Sequence, residues 1–279
     1  MKRELFNQIV KDIAKFQGLT RDCANLLINK YVNVSPNAIH SILSAEMMQK
    51  MKTCRNKLHG IRYNHYGNYE KARKDGERPG IIVRMAAKTN LPPALLARVI
   101  LEHHFQSTNK KFSRADISQL MKDTTRIQDV DLAYEIYLCV LYDDRNGLIS
   151  DSVCLTIGNE YEAKLQYYLN ECNASYSTED DLRARGYDKT PDVKLEIPVA
   201  VDGFIINWIE SKGRFGSPDI HKTHVKEQFL SYWNRFGPGL VIYWFGFVDD
   251  IVEPNEKKFI ITDHFPENIV HMNPTIPQL

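Results

Sequence analysis

Apolar residues recur at intervals of three and four in ELFNQIVKDIAKF (4–16), RDCANLLINKYV (21–32) and SPNAIHSILSAEMMQKM (35–51), the spacing of amphipathic helices. In the third segment Ser35 stands at the N-cap and Pro36 at the first helical position. Helix, the turn NVSP, then helix reads as a helix-turn-helix-like pair. IIVRMAAKTNLPPALLARVILEHHF (81–105) reads as a second, with Ala86 and Ala87 allowing close packing, Asn90 turning the chain and Pro92 or Pro93 opening the next helix. Between them NHYGNYEKARKDGERPG (64–80) predicts a basic connection or a short helix ending at Gly76. Further helices are expected around Ala115–Met121 and over VDLAYEIYLCVLYDD, before a turn-rich boundary at 143–150.

Beyond that boundary the pattern changes. VCLTIGNEYEAKLQYYLNEC (153–172) predicts a helix with a stripe of Ile157, Tyr161, Leu165, Tyr168 and Leu169, and STEDDLRARG (177–186) a short capped helix closed by Gly186. VKLEIPVAV and FIINWIES flank Asp202-Gly203, a strong hairpin signal. A helix over about Asp219–Arg235, stopped by Gly237 and Pro238, comes next. LVIYWFGFV reads as a buried central strand, and KKFIITDHF as the last strand. The expected fold class is α/β: an all-α domain with helix-turn-helix-like units over 1–145, then an α/β domain with a mixed central sheet over 146–279.

The 279 residues, 43% hydrophobic and 25% charged, have the composition of an ordinary globular protein. No apolar run approaches membrane-spanning length, and the N-terminus MKRELFNQIVKDIAKF lacks an apolar signal core, which predicts a soluble intracellular protein. Five cysteines, widely spread and without a C-x-x-C pair, predict reduced, buried thiols and no zinc site. The net charge of +1 conceals a basic block: Lys50–Asn90 holds eleven Lys or Arg against three acids. A solvated helix face would carry such charges, and so would a phosphate-binding surface. On the second reading Lys50, Lys52, Arg55, Lys57, Arg62, Arg73, Lys74 and Arg84 bind nucleic acid, and Tyr63, Tyr66 and Tyr69 are available to stack on unpaired bases. His103 and His104 read as surface or core residues.

Candidate chemistry gathers at the end of the second hairpin strand. Alternation puts Ile206, Trp208, Glu210 and Lys212 on one face, the first two buried and the last two emerging at the strand end. Asp192, held extended after Pro191, arrives on the neighbouring strand. Two carboxylates beside an ammonium suit a hard divalent ion such as Mg²⁺ or Mn²⁺, with the Ser211 carbonyl as a further oxygen ligand. Glu162 shares a helix side with Leu165 and Leu169, where a carboxylate needs a partner such as a metal or Lys212, or else snorkels to water as a boundary residue. Gln228 falls on one face with Val225 and Tyr232, in reach of the same pocket. A strict two-residue hairpin, however, pairs Leu195 with Glu210 and leaves Asp192 on the opposite face. A register slip of one residue is therefore expected, through a bulge near Pro198, a wider turn, or Asp192 lying just before the regular strand.

Asp192, Glu210-Ser211-Lys212 and the upstream Glu162 resemble the PD-(D/E)xK nuclease superfamily of restriction enzymes and archaeal Holliday-junction resolvases. LRARGYDKTPD, WIESK and QFLSYWNRFGPGLVIYW are similar almost word for word to the codanin-interacting nuclease family, known for its Thr-Pro-Asp motif, here Thr190, Pro191 and Asp192. In the N-terminal half PPALLARVILE is the best match. The resemblance implies a restriction-endonuclease-like fold and a catalytic set of Glu162, Asp192, Glu210, Lys212 and Gln228. It also implies a metal shell of Asp192, Glu210, Glu162 and Ser211, a nucleic-acid substrate with DNA expected over RNA, a codanin-like partner, and residence in nucleus and cytoplasm. The alternative is a nuclease fold that serves, without catalysis, as a protein docking platform.

Overall fold

The computed structural model describes residues 1–58, 64–107, 113–145, 147–254 and 256–272. They form an N-terminal helical region and a C-terminal mixed sheet, an α/β fold. The chain divides into two compact units, each discontinuous in sequence. One comprises 9–34 and 43–155; the other 1–8, 35–42 and 156–279. The division after Leu155 falls inside a helix, later than the expected turn-rich boundary.

The helices in chain order are α1 (Arg3–Lys15), α2 (Thr20–Lys30), α3 (Pro36–Leu58), α4 (His65–Lys74), α5 (Ile81–Thr89), α6 (Pro93–Ser107), α7 (Arg114–Lys122), α8 (Val130–Tyr142) and α9 (Leu148–Glu171). Ser35 caps α3 by accepting the Ala38 N–H at 3.1 Å. Asn90, in the left-handed region at φ 54, turns α5 into α6. The helical unit packs Ile82, Leu96, Ile100, Leu120, Leu132 and Ile136 into one core. Two buried carboxylates satisfy helix starts that the core would otherwise strip of water: Glu135 accepts the Gly80 and Ile82 N–H groups at 2.6 and 3.0 Å, and Asp143 accepts that of Ala94 at 3.0 Å.

In the other unit β1 (Tyr176–Thr178), α10 (Glu179–Ala184), β2 (Val193–Val201) and β3 (Phe204–Lys212) lead to α11 (Pro218–His224), a π-helical turn (Val225–Phe229) and α12 (Leu230–Phe236), followed by β4 (Gly239–Tyr243), β5 (Phe259–Thr262) and β6 (Ile269–His271). The sheet runs β1-β2-β3-β4-β5, with β6 also on β2; β3, β4 and β5 are parallel and the other pairs antiparallel. Leu165 and Leu169 of α9 cover one face with Val193, Leu195, Ile209 and Leu240. Phe229 and Tyr232 cover the other with Trp208, Val241 and Tyr243. The N-terminus joins this unit: the Met1 ammonium donates to the Phe247 carbonyl at 2.7 Å, and Phe6 stacks on Phe215.

Several expectations are corrected. β5 is not the last strand, since β6 follows it and returns to β2. The helix expected over 219–235 is interrupted by the π turn. Ile206 and Trp208 do not share a face; Ile206 joins the core under α9 and Trp208 the core under α12, because the irregular pairing of β2 with β3 breaks the alternation between them. Cys23 and Cys139 are buried free thiols, Cys172 is half-buried and Cys154 is exposed on the first turns of α9.

Candidate active site

The site begins with the hairpin. Asp202 and Gly203, at φ 48 and 83, form a tight two-residue turn that pairs Val201 with Phe204. Pairing then runs to Val199↔Ile206 and resumes at Lys194↔Trp208 and Val193↔Ile209. β2 thus advances from 199 to 194 while β3 advances only from 206 to 208. This odd offset is absorbed by the bulged stretch through Pro198, as expected from the parity of the two acids. It brings Asp192, the residue before β2, alongside Glu210: the Asp192 N–H donates to Glu210 Oε2 at 3.3 Å and the Ser211 N–H donates to Asp192 Oδ2 at 2.7 Å.

Thr190 and Pro191 are buried and lock the approach. The Thr190 hydroxyl donates to Glu179 Oε1 at 3.1 Å, and the Glu179 N–H donates to the Asp192 carbonyl at 3.2 Å. The start of α10 is thereby stapled to the acid, whose side chain is left to point at β3.

Glu210 is 1% exposed and ion-paired to Lys212. Burial pushes the Glu210 carboxyl up, against the pull of Lys212. Asp192 is driven well above the usual carboxylate range by desolvation and then by the neighbouring Glu210. Burial would lower the Lys212 ammonium, yet Glu210 and Asp192 together raise it. Two desolvated acids thus share one cation, and their mutual repulsion is met by holding protons more tightly. Ser211 sits between them with its hydroxyl committed elsewhere, donating to the Tyr161 carbonyl at 3.0 Å and accepting from Trp244 Nε1 at 2.8 Å. Only its main-chain oxygen remains for a metal.

Glu162 is not buried on α9. It keeps the side of Leu165 and Leu169, three and seven residues further on, yet is itself exposed, so it needs no buried partner. Crowding and the nearby Glu179 still raise its carboxyl, with Lys212 drawing it the other way. The helix comes this close because Gly213 has no side chain: a Cβ there would stand 2.9 Å from Ile157 and 3.1 Å from Tyr161. Gln228 lies on the π turn, one turn before the buried Tyr232, whose phenol is pushed up by burial and by Glu210 and Asp192. The buried Oε1 of Gln228 has no hydrogen-bond partner among the described residues. Among the described residues no group of three or more His, Cys, Asp or Glu is gathered as a ready metal site. A cation here would rest on two carboxylates and neutral oxygens, the habit of magnesium with substrate and water completing its shell.

Of the basic set, Arg73 pairs with Asp129 and Asp131 at 2.6 and 2.8 Å, and Arg84 pairs with Glu77 at 3.0 Å while donating to the Pro79 and Arg78 carbonyls. Lys74 is exposed and Lys50 half-buried. Lys52, Arg55 and Lys57 are described by main chain alone, and Arg62 and Tyr63 lie outside the described residues. Tyr69 is 1% exposed, packed in the helical core, and Tyr66 is half-buried against His104 with its hydroxyl 3.1 Å from Nδ1, so these rings are engaged within the fold. Sequence reasoning missed Glu179 and Tyr161, whose roles come from distant contacts; the capping pattern of Thr178 with Asp181 was the one signal that α10 starts beside the motif. No described helix is long and apolar enough to cross a membrane.

The family model described as "Protein of unknown function TPD sequence-motif" matches residues 128–265, which include Thr190-Pro191-Asp192. A Xenopus laevis protein named CDAN1-interacting nuclease 1 is 39% identical over 93% of this chain and 86% of its own length. The Homo sapiens protein of that name is 38% identical over 90% of each chain, and the Gallus gallus one 35% identical over 96% of each. No solved structure gives a significant match. With similarity sustained along nearly the whole length, the chain belongs to the CDAN1-interacting nuclease 1 family.

Proposed function

We propose that this protein is a divalent-cation-dependent nuclease that hydrolyses phosphodiester bonds of nucleic acid, with Mg²⁺ or Mn²⁺ as cofactor. The observation that carries the reading is the meeting of Asp192, Glu210 and Lys212 in one desolvated pocket at a strand end. The order helix, hairpin, helix, strand around that pocket supports its kinship with restriction-endonuclease-like and Holliday-junction-resolvase-like domains.

The donor set fits a hard cation. Once ionised, Asp192 and Glu210 outnumber the single ammonium beside them, a charge that a divalent cation would neutralise, and the orphaned Gln228 Oε1 is an acceptor waiting for a water proton. Asp192 and Glu210 would hold the ion, with the Ser211 main-chain oxygen and Glu162 at the rim. When bound, a divalent cation supplies Lewis-acid polarisation of the phosphodiester and acidifies water. Lys212 provides the compact positive charge for the phosphate as negative charge grows on it. Gln228 accepts a hydrogen bond from the attacking water and so orients it. The exposed members of the basic block grip the backbone and leave base edges unread, with DNA the expected substrate. The name borne by the relatives supports a codanin-like partner for this chain; residence in nucleus and cytoplasm is part of the proposal.

Labelled branched, single-stranded and duplex oligonucleotides incubated with the purified protein and Mg²⁺ or Mn²⁺ test the reading. Cleavage that Asp192→Ala removes supports it. Absence of cleavage on every substrate, with partner binding intact, leaves the docking-platform role in its place.

A further inference from the structure

Beside the acids lies a run of rings that the hydrolytic chemistry does not use. The Tyr161 and Trp244 ring centroids are 5.4 Å apart, Tyr168 stacks on Trp244 at 6.4 Å and 18°, and Phe265 stacks on Tyr168 at 5.0 Å and 14°. All four rings are half-buried, so each keeps surface open to solvent. The exposed Lys164, one turn beyond Tyr161 on α9, holds its ammonium 4.5 Å from the Trp244 ring and 5.3 Å from that of Tyr161. Trp244 is fastened to the site itself: its Nε1–H donates to the Ser211 hydroxyl at 2.8 Å and its backbone N–H to the Lys212 carbonyl at 3.1 Å.

Packing α9 onto the sheet needs only apolar bulk, which Leu165 and Leu169 already supply. It has no use for an exposed ammonium drawn over an indole, nor for aromatic surface left open beside two desolvated acids. Stacked rings interleaved with a cation match single-stranded nucleic acid, whose unpaired bases offer free faces while its phosphates seek positive charge. In a duplex those faces are covered by neighbouring base pairs. Resting on the nuclease reading of the adjacent acids, we propose that Trp244, Tyr161 and Lys164 form a stacking platform for unpaired bases, so that the strand presented to Asp192 and Glu210 is a single-stranded segment.

The test is binding in the presence of chelator, where the phosphodiester survives. The parent protein is titrated with a short oligothymidylate and with a duplex, and tryptophan fluorescence is followed. Single strand quenches the emission, Trp244→Phe removes most of the quench, and Lys164→Glu weakens single-strand affinity by about tenfold while changing duplex affinity by about twofold at most. Lys164 is exposed, so that variant keeps the fold even if Trp244→Phe disturbs it. A quench undiminished in Trp244→Phe, parental single-strand affinity in Lys164→Glu, or equal losses for both ligands overturns the platform. Cleavage in Mg²⁺ separates this from failure of the nuclease reading: if the parent cuts, Asp192→Ala does not, and the quench is untouched by Trp244→Phe, only the platform falls. If the parent cuts nothing while the quench still depends on Trp244, the platform stands as a binding site and the nuclease reading falls.

Discussion

Lys212 and Glu210 are the residues on which the pocket's electrostatics turn. With its partner removed, a carboxyl this deeply buried loses the interaction that offsets its desolvation. Lys212→Met is therefore expected to lower stability by about 3 kcal/mol in urea unfolding, and Glu210→Gln added to it to recover part of that loss. These residues were legible in the sequence because Glu-x-Lys after an apolar strand and an acid after Thr-Pro together specify a strand end with two acids and an amine. Glu162 was legible as a residue but not in its burial, since a spacing of three and seven puts it on the side of Leu165 and Leu169 while periodicity does not tell how far along the helix that side stays covered. Gln228 was placed by α-helical spacing although the segment is π-helical, a register that the sequence pattern does not announce.

Among the elements, β2 decides whether a site exists. The extra residues through Pro198 make the offset between the two registers odd, and only an odd offset sets Asp192 beside Glu210. Deleting Ile197 makes it even; the expected result is a folded protein by circular dichroism whose cleavage falls on the order of a hundredfold or more. The bulge could be inferred because two acids had to share a face, whereas its size could not: parity asks only for an odd slip, and the strands slip by three where one was expected. The strands β1 and β6 are three residues each and too short to print an alternation on the sequence.

The helix pair over the second face carries a different charge history. His221 and His224 both bring Nδ1 to the Tyr243 hydroxyl, at 3.1 and 3.2 Å. One phenol has a single proton to donate, so it can serve one ring as donor and the other as acceptor, and burial favours the neutral form of both rings. Burial lowers His221 to about 4 and His224 to about 3. A histidine lowered in the folded state gives stability above its unfolded pKa of about 6.5 that is lost as pH falls through that value toward the folded one. Each histidine is expected to make unfolding at pH 5 easier than at pH 7 by about 2 kcal/mol, so that His224→Gln shows about half the parental difference; an equal difference in that variant would contradict the assignment.

At the scale of the whole molecule, the helical N-terminal half and the α/β C-terminal half were legible from the change in hydrophobic period. The discontinuous units were not: 1–8 and 35–42 join the sheet unit through contacts such as Phe6 with Phe215 and the Ser41 hydroxyl with the Phe215 N–H, which no local pattern announces. The same holds for the basic block, where charge counting gave equal weight to Arg73, committed to Asp129 and Asp131, and to the exposed Lys74. Lys74→Ala is expected to reduce the slope of log affinity against log salt for duplex DNA by about 0.9, measured by fluorescence anisotropy. Arg73→Ala acts first on stability, through the two acids it leaves unpaired.

The most direct measurement is the single-turnover cleavage rate of the preferred oligonucleotide, in Mg²⁺ and in chelator, for the parent protein beside Asp192→Asn and Lys212→Met. Cutting by the parent in Mg²⁺ alone, with both variants slower by on the order of a hundredfold or more while still folded, is the predicted result. Cutting that persists in chelator, or either variant working at the parental rate, would contradict a hydrolytic site built on these acids and this amine.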